Sequence, residues 1–358
     1  MQKEYNPDDF VRIKDVSLSS ETKELMSKAS VVYSKNFPAT AYAGRCIFLS
    51  WYCSIADCDF CYRSVIKHKQ GNPKKAKRSM GSVLLEALFS KTFDWPLEFI
   101  TGGLGIMPFP ELVEHIKAIS DVYGSKVWLN LGGFSEEQIE ELRPYVEGVC
   151  GSMETLHPKL HDETCPSKPI KPFSDMFKKL KGFRKSIAVI VGLGDSYSDI
   201  HYLLDFIKEH ELDRITMYPL KPVRGTRYTT GPSTDEFLKW MSRVRVEFPK
   251  IEIVAGTNLR RAEESGLYMK AGANGITKFP LLKEFGNESS IAVKKLIEDA
   301  GREFVGNITE QVDVDWEKEI NALPISDAYK EQMLNSLPLY LAKFGGKKKL
   351  KVIANCEC

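Results

Sequence analysis

Short apolar runs and amphipathic stretches alternate along this chain in a regular beat from about residue 45 to residue 280. The runs at 45–50, 97–101, 126–130, 148–152, 186–191, 214–218, 251–255 and 275–277 have the length and residue types of buried strands. Between them, stretches such as "PFPELVEHIKAISDVYG", "SEEQIEELRPYV", "SDIHYLLDFIKEHEL", "STDEFLKWMSRVRVEF" and "LRRAEESGLYMKAG" repeat their apolar residues at helical spacing. Strands alternating with helices predict βαβ units and a parallel sheet. Eight such repeats is the number that closes a (β/α)8 barrel of the TIM type; an open doubly wound sheet is the alternative.

The barrel pattern is flanked by helical stretches, and no Pro-rich linker or low-complexity segment divides the chain. We read residues 1–40 as an N-terminal helical extension, in which Ser20 is placed to cap "ETKELMSKASVVYSKNF". Residues 41–305 form the barrel. Residues 306–358 form a C-terminal helical extension that ends in "NCEC".

Composition changes this picture little. In 358 residues, 43% hydrophobic and 27% charged residues describe an ordinary globular protein with enough apolar surface for one large core. No apolar run approaches the ~18 residues of a membrane span, and the first residues, "MQKEYNPDDF", lack the apolar centre of an export signal. A net charge of +2 selects no partner class. Two local basic runs, Lys67 to Arg78 and Lys347 to Lys351, read either as solvated loops or as docking sites for an acidic partner. No nucleic-acid module follows the barrel, so none is expected to bind there.

Cysteine changes the picture most. Eight cysteines in a chain without an export signal point to metal or redox chemistry and a cytoplasmic setting rather than to a disulfide scaffold. Cys53, Cys58 and Cys61 fall in "CSIADCDFC", directly after the first strand, where a barrel builds its active site. Structural zinc ordinarily takes four ligands, often as two separated pairs. Three thiols without a nearby pair suit a [4Fe–4S] cluster with one open iron. A zinc site completed by His68 or a distant cysteine, and chance clustering of buried cysteines, stay open on spacing alone.

With Phe60 just before the last cysteine, this loop resembles the signature of the radical S-adenosylmethionine (SAM) superfamily, C-x3-C-x2-C, with one residue added to the first spacer. The resemblance implies that SAM occupies the open iron and is cleaved reductively to methionine and a 5′-deoxyadenosyl radical that abstracts hydrogen. Later strand ends agree with it. "ITGGLG" resembles the segment whose backbone, here at Gly102 and Gly103, receives SAM's amino group, although Leu104-Gly105 stands where many relatives have an acid. Glu154 in "GSMETLHP" resembles a residue that binds SAM's ribose or amino group in the biotin synthase branch; its other reading is a solvated carboxylate beside a Thr155 helix cap. "VIVGLGDS" resembles the adenine-lining segment, which assigns backbone contacts to Val191 and Gly192 and a helix cap to Asp195.

Further strand-end loops, "YPLKPVRGT", "AGTNLRR" and "GANGITKFP", bring Arg224, Asn258, Arg260, Arg261, Thr277 and Lys278 forward as candidate substrate or auxiliary-cluster residues. Taken together, these segments resemble the biotin synthase and hydrogenase-maturase branch over about residues 25–300. The cysteine ligands of biotin synthase's second cluster have no counterparts here, so that activity is not expected.

Cys356 and Cys358 suggest ligands for an auxiliary iron–sulfur cluster. With them, the later segments resemble the archaeal two-protein lipoyl synthase components. That resemblance implies sulfur insertion into a protein-bound octanoyl chain, a lipoyl-carrier protein as partner and a second radical SAM subunit. The longer first spacer resembles instead the maturase that helps build the guanylylpyridinol cofactor of [Fe]-hydrogenase. Either resemblance implies a ferredoxin- or flavodoxin-like reductant. A non-catalytic iron–sulfur carrier would explain the cysteines but not the motifs at successive strand ends.

Overall fold

Eight parallel strands close on themselves in sequence order: β1 (Thr40–Phe48), β2 (Leu97–Thr101), β3 (Val127–Asn130), β4 (Val146–Glu154), β5 (Arg184–Val191), β6 (Arg214–Pro219), β7 (Glu252–Gly256) and β8 (Gly275–Thr277). β1 pairs with β2 through Arg45–Phe48 and with β8 through Tyr42–Gly44, which completes the barrel. The computed structural model describes residues 12–69 and 71–344. The open-sheet alternative is thereby set aside.

The strands read as continuous apolar runs because both of their faces are covered. All five residues of β2 are buried, with helices outside and barrel-filling side chains inside. Cys46, Phe99, Trp128, Cys150 and Ala188 fill the interior. Towards the strands' N-terminal ends the filling turns polar. Arg214 donates to Glu252 at 2.9 and 3.0 Å and lies over the Trp128 ring. Thr216 donates to the buried Glu98.

The N-terminal helix, Ser20–Asn36, is capped one residue earlier than expected: Ser19, not Ser20, accepts from the Thr22 amide. It packs along the helix Thr234–Glu247, and Ser19 also bonds Asp235 there. A ninth strand, β9 (Glu303–Val305), escaped the sequence reading because three residues carry no period. It pairs with the first residues of β1, outside the closed barrel.

Two C-terminal helices, Trp316–Asn321 and Asp327–Lys343, lie against Met80–Thr92. Trp316 and Phe344, which follows the second helix, pack edge-on or tilted against Phe89 and Phe93. The closest approach is at Gly81, where a β-carbon would stand 2.1 Å from the Gln332 carbonyl oxygen.

No described helix is long and apolar enough to cross a membrane. Much of the first basic run is occupied by the fold itself. Lys77 pairs with Glu111, and Arg78 bonds Glu86, Tyr340 and the Phe48 carbonyl. Lys69, Lys74 and Lys75 are exposed. The second basic run and the terminal Cys356 and Cys358 lie outside the described residues.

Candidate functional site

A cavity of about 540 Å³ opens at the C-terminal ends of the strands. Its wall is built from residues that follow nearly every strand, as barrel active sites are. The cysteine loop leaves β1 and curls over this mouth. Cys61 donates its amide to the Cys58 carbonyl, Ser54 to Leu104 and Asp59 to Thr164, so the loop is sewn to the ends of β2 and of the helix Pro158–Thr164.

Arg63 closes the loop from behind. It bonds the Ser50 and Trp51 carbonyls and lies between the Phe48 and Tyr62 rings. Within the first spacer, Ala56 sits in the left-handed region with φ +41°. A non-glycine residue there costs about 1 kcal/mol, which the surrounding bonds offset.

Cys53, Cys58 and Cys61 all line the cavity. No described cysteine is in a disulfide. Among the described residues, no three His, Cys, Asp or Glu side chains converge tightly enough to hold a metal ion by themselves. His68, the alternative zinc ligand, is exposed on a 3-10 turn and does not line the cavity.

The residues do fit a [4Fe–4S] group bound by three thiolates. They present three sulfurs to one cavity, and the neighbouring strand end is cleared to let their loop in. At Gly103 a β-carbon would lie 2.0 Å from the Tyr52 carbonyl oxygen and 2.5 Å from Cys53 Cβ. Gly103 is thus a steric requirement of the cysteine loop, a role the motif reading did not anticipate. Gly102 lines the cavity beside it.

Glu154 ends β4 with φ +62°, which turns its carboxylate into the mouth. It is neither solvated nor beside a Thr155 cap, since His157 caps the next helix. Its Oε1 accepts from Lys168 Nζ at 2.5 Å, and both side chains are largely buried. Burial opposes the Lys168 charge, but Glu154 and the nearby Cys165 and Cys58 sulfurs hold the amine above its ordinary range.

His161 braces this corner, its ring nitrogens 2.9 and 2.7 Å from the Thr155 and Lys168 carbonyl oxygens. Cys165, buried at the end of the same helix, hydrogen-bonds Cys58. That bond, more than any other cause, holds the Cys58 thiol below its ordinary pKa, while burial pushes Cys61 up. Neither Lys168 nor Cys165 was assigned a role from sequence. Their only signal was proximity in the chain to "SMET".

Other predicted residues are dispersed. Phe60 lines the cavity. Along β5 it is Ala188 and Ile190 that face the mouth, while Val191 points into a small adjoining pocket with Asp195, and Gly192 packs on Pro232. Asp195 accepts from Thr155 instead of capping a helix; Ser196 and Asp199 make that cap. Arg261 turns outward to pair with Glu264, Thr277 is buried against Cys46, and Arg224 is exposed outside the cavity. Asn258 and Lys278 line the cavity, with Asn130, Ser152, Tyr218 and Lys221, which the sequence reading had left out.

No family model matches the chain. It is 38% identical over 295 residues to the uncharacterized protein MJ0597 of Methanocaldococcus jannaschii, covering 81% of this chain and 82% of that one. Over 260 residues it is 25% identical to biotin synthase of Carboxydothermus hydrogenoformans, covering 68% and 78% respectively. In fold it is similar to methylornithine synthase PylB, with a TM-score of 0.66, 19% identity and 81% and 91% of the two chains covered. It is also similar to the FeFe-hydrogenase maturase HydG of Carboxydothermus hydrogenoformans, at 0.64, 14% identity and 90% and 83% coverage. The chain belongs to the family of the M. jannaschii protein, and in sequence and fold it resembles the biotin synthase and hydrogenase-maturase branch of the radical SAM superfamily.

Proposed function

We propose that this protein binds a [4Fe–4S] cluster through Cys53, Cys58 and Cys61 and uses it, with SAM, to abstract hydrogen from a substrate held in the same cavity. The observation that carries this reading is that Cys53, Cys58 and Cys61 line one cavity at the barrel mouth together with Gly102, Gly103 and Glu154. The bound cluster and SAM would supply the chemistry: one electron cleaves SAM to methionine and a 5′-deoxyadenosyl radical.

The chain's own residues do the rest. The Arg63 and Gly103 contacts shape the cysteine loop. The Glu154–Lys168 pair offers a carboxylate whose second oxygen remains for a ribose hydroxyl or an ammonium, and fixes its direction. The barrel wall encloses the space between the strand ends, which limits water around a reactive species.

Two substrates were suggested by resemblance. Sulfur insertion into a protein-bound octanoyl chain needs an apolar channel and a second cluster, for which Cys356 and Cys358 are the candidates. Maturation of a hydrogenase cofactor needs a small polar substrate and a single cluster. Lys278 after β8 and Asn258 after β7, polar groups in an otherwise largely apolar lining, support the second reading.

The test is iron and sulfide per chain after anaerobic reconstitution, with 5′-deoxyadenosine formation measured in parallel. We expect about four irons, both in wild type and in a Cys356→Ala/Cys358→Ala double variant. About eight irons falling to four in the double variant would return the assignment to sulfur insertion. Wild type that binds no iron would end the radical SAM proposal.

A further inference from the structure

The charges lining the cavity do not balance once the cysteine side is accounted for. Glu154 is matched by Lys168. Arg63 is engaged by backbone carbonyls and aromatic faces behind the loop. Two lysines remain, Lys221 after β6 and Lys278 after β8, the strand beside β1.

Lys278 is the telling one. It follows β8 with φ +66°, a conformation that a non-glycine residue adopts at a cost of about 1 kcal/mol. The outcome is an ammonium placed over the Phe48 ring at 4.4 Å and near the Tyr218 ring at 5.9 Å, half-buried in the cavity wall. Among the described residues no carboxylate lies within ion-pair distance of it. Glu98, which feels its charge, is fully buried in the barrel and bonded to Thr216.

Lys221 stands at the rim after β6, where burial and the charge of Arg260 push its pKa down. Lys221 is exposed there, whereas the half-buried Lys278 ammonium, with no carboxylate partner among the described residues, is better compensated when an anion enters. Aromatic faces steady an ammonium but leave its N–H donors unspent. Asn258, after β7, adds a neutral polar group between them, and the Ser152–Asn130 pair adds one from across the barrel, at the ends of β4 and β3.

We infer that the substrate of this cavity is a small anionic molecule whose carboxylate or phosphate is bound by Lys278, with Lys221 contributing from the rim. This rests on the radical SAM reading for the reaction but not for the binding. An apolar octanoyl chain would leave the half-buried Lys278 ammonium without a partner and strip its solvation. Lys278 is a substrate-binding residue in this proposal, and Tyr218 and Phe48 are the faces that position it.

The experiment is calorimetric binding to the anaerobically reconstituted full chain with SAM present. The probes are inorganic phosphate, succinate, and the matched pair octanoate and octanamide. We expect wild type to bind the anions and to prefer octanoate over octanamide. We expect Lys278→Gln to weaken anion binding roughly tenfold or more, as loss of a charge-assisted hydrogen bond does, and Lys278→Arg to retain it. Lys221→Gln should lose less.

Absence of anion binding to wild type, equal binding by Lys278→Gln, or octanamide binding as tightly as octanoate would each overturn the proposal. Iron content and SAM cleavage, recorded on the same wild-type samples, report separately on the radical SAM reading. Failure there leaves the anion result to stand or fall by itself.

Discussion

Gly103 lies directly beneath Cys53: a β-carbon on the glycine would stand 2.5 Å from Cys53 Cβ and 2.0 Å from the Tyr52 carbonyl oxygen. Both obstructing groups belong to the cysteine loop, so the glycine and the loop are one structural unit. Gly103→Ala should push the loop off the strand end and cost most of the iron taken up on reconstitution, with the far-ultraviolet circular dichroism of the barrel unchanged. Gly133→Ala, which meets nothing within 4 Å, is the control that should load iron as wild type does. Equal iron in both variants would show that the loop tolerates the displacement.

The Cys58–Cys165 contact predicts two separable outcomes. Cys58→Ala should abolish the brown colour and SAM cleavage together, and full cleavage in that variant would refute the cluster assignment. Cys165→Ala should raise the pH midpoint for alkylation of Cys58 in the apo-protein, because the hydrogen bond that lowers the Cys58 pKa is removed. Peptide-resolved mass spectrometry after timed alkylation reads that midpoint, and an unmoved value would show that the contact does not tune Cys58.

Breaking the Glu154–Lys168 pair leaves a largely buried ammonium without its carboxylate. Glu154→Gln should destabilise the apo-protein by about 3 kcal/mol in chemical denaturation, typical for one partner removed from a buried pair. Adding Lys168→Met should recover much of that loss, since the uncompensated charge goes with it. A double variant as unstable as the sum of its parts would show that the two side chains are not coupled.

Glu86 ties the C-terminal helix to the barrel. It accepts from Arg45, Arg78 and Tyr340. Burial alone would raise its pKa, but the two guanidinium groups outweigh it and hold the carboxyl below its ordinary value. A depressed folded pKa contributes stability that is fully present above the unfolded value, about 4.3, and is lost as the pH falls through the folded one. Glu86→Gln should therefore lower the Tm at neutral pH, and the gap from wild type should close as the pH falls below about 4. A gap independent of pH would mean that packing, not charge, is what the substitution removes.

The eight strands were legible because a strand buried on both faces must be apolar throughout, whatever it pairs with. Runs such as "LEFIT" carry that requirement in their own composition. β9 was not legible, since its three residues are a strand only by virtue of lying beside Thr40–Tyr42. At the site, Cys53, Cys58 and Cys61 announced themselves because a metal-binding loop gathers its ligands within one local stretch. Lys168 and Cys165 could not, because they reach Glu154 and Cys58 only when the helix Pro158–Thr164 folds back over the mouth.

The sequence by itself thus determined the alternation of eight strands with helices and the three-cysteine loop, both written in short-range spacing. Closure of the barrel came from the pairing of β1 with β8. Tertiary structure alone decided which strand-end residues face the cavity. Arg261, in "GTNLRR" after β7, turns away to Glu264, while Lys278, in "GANGITKFP" after β8, turns in. The backbone angle at one residue and the partners waiting on neighbouring strands make that choice, and neither is encoded in a local period.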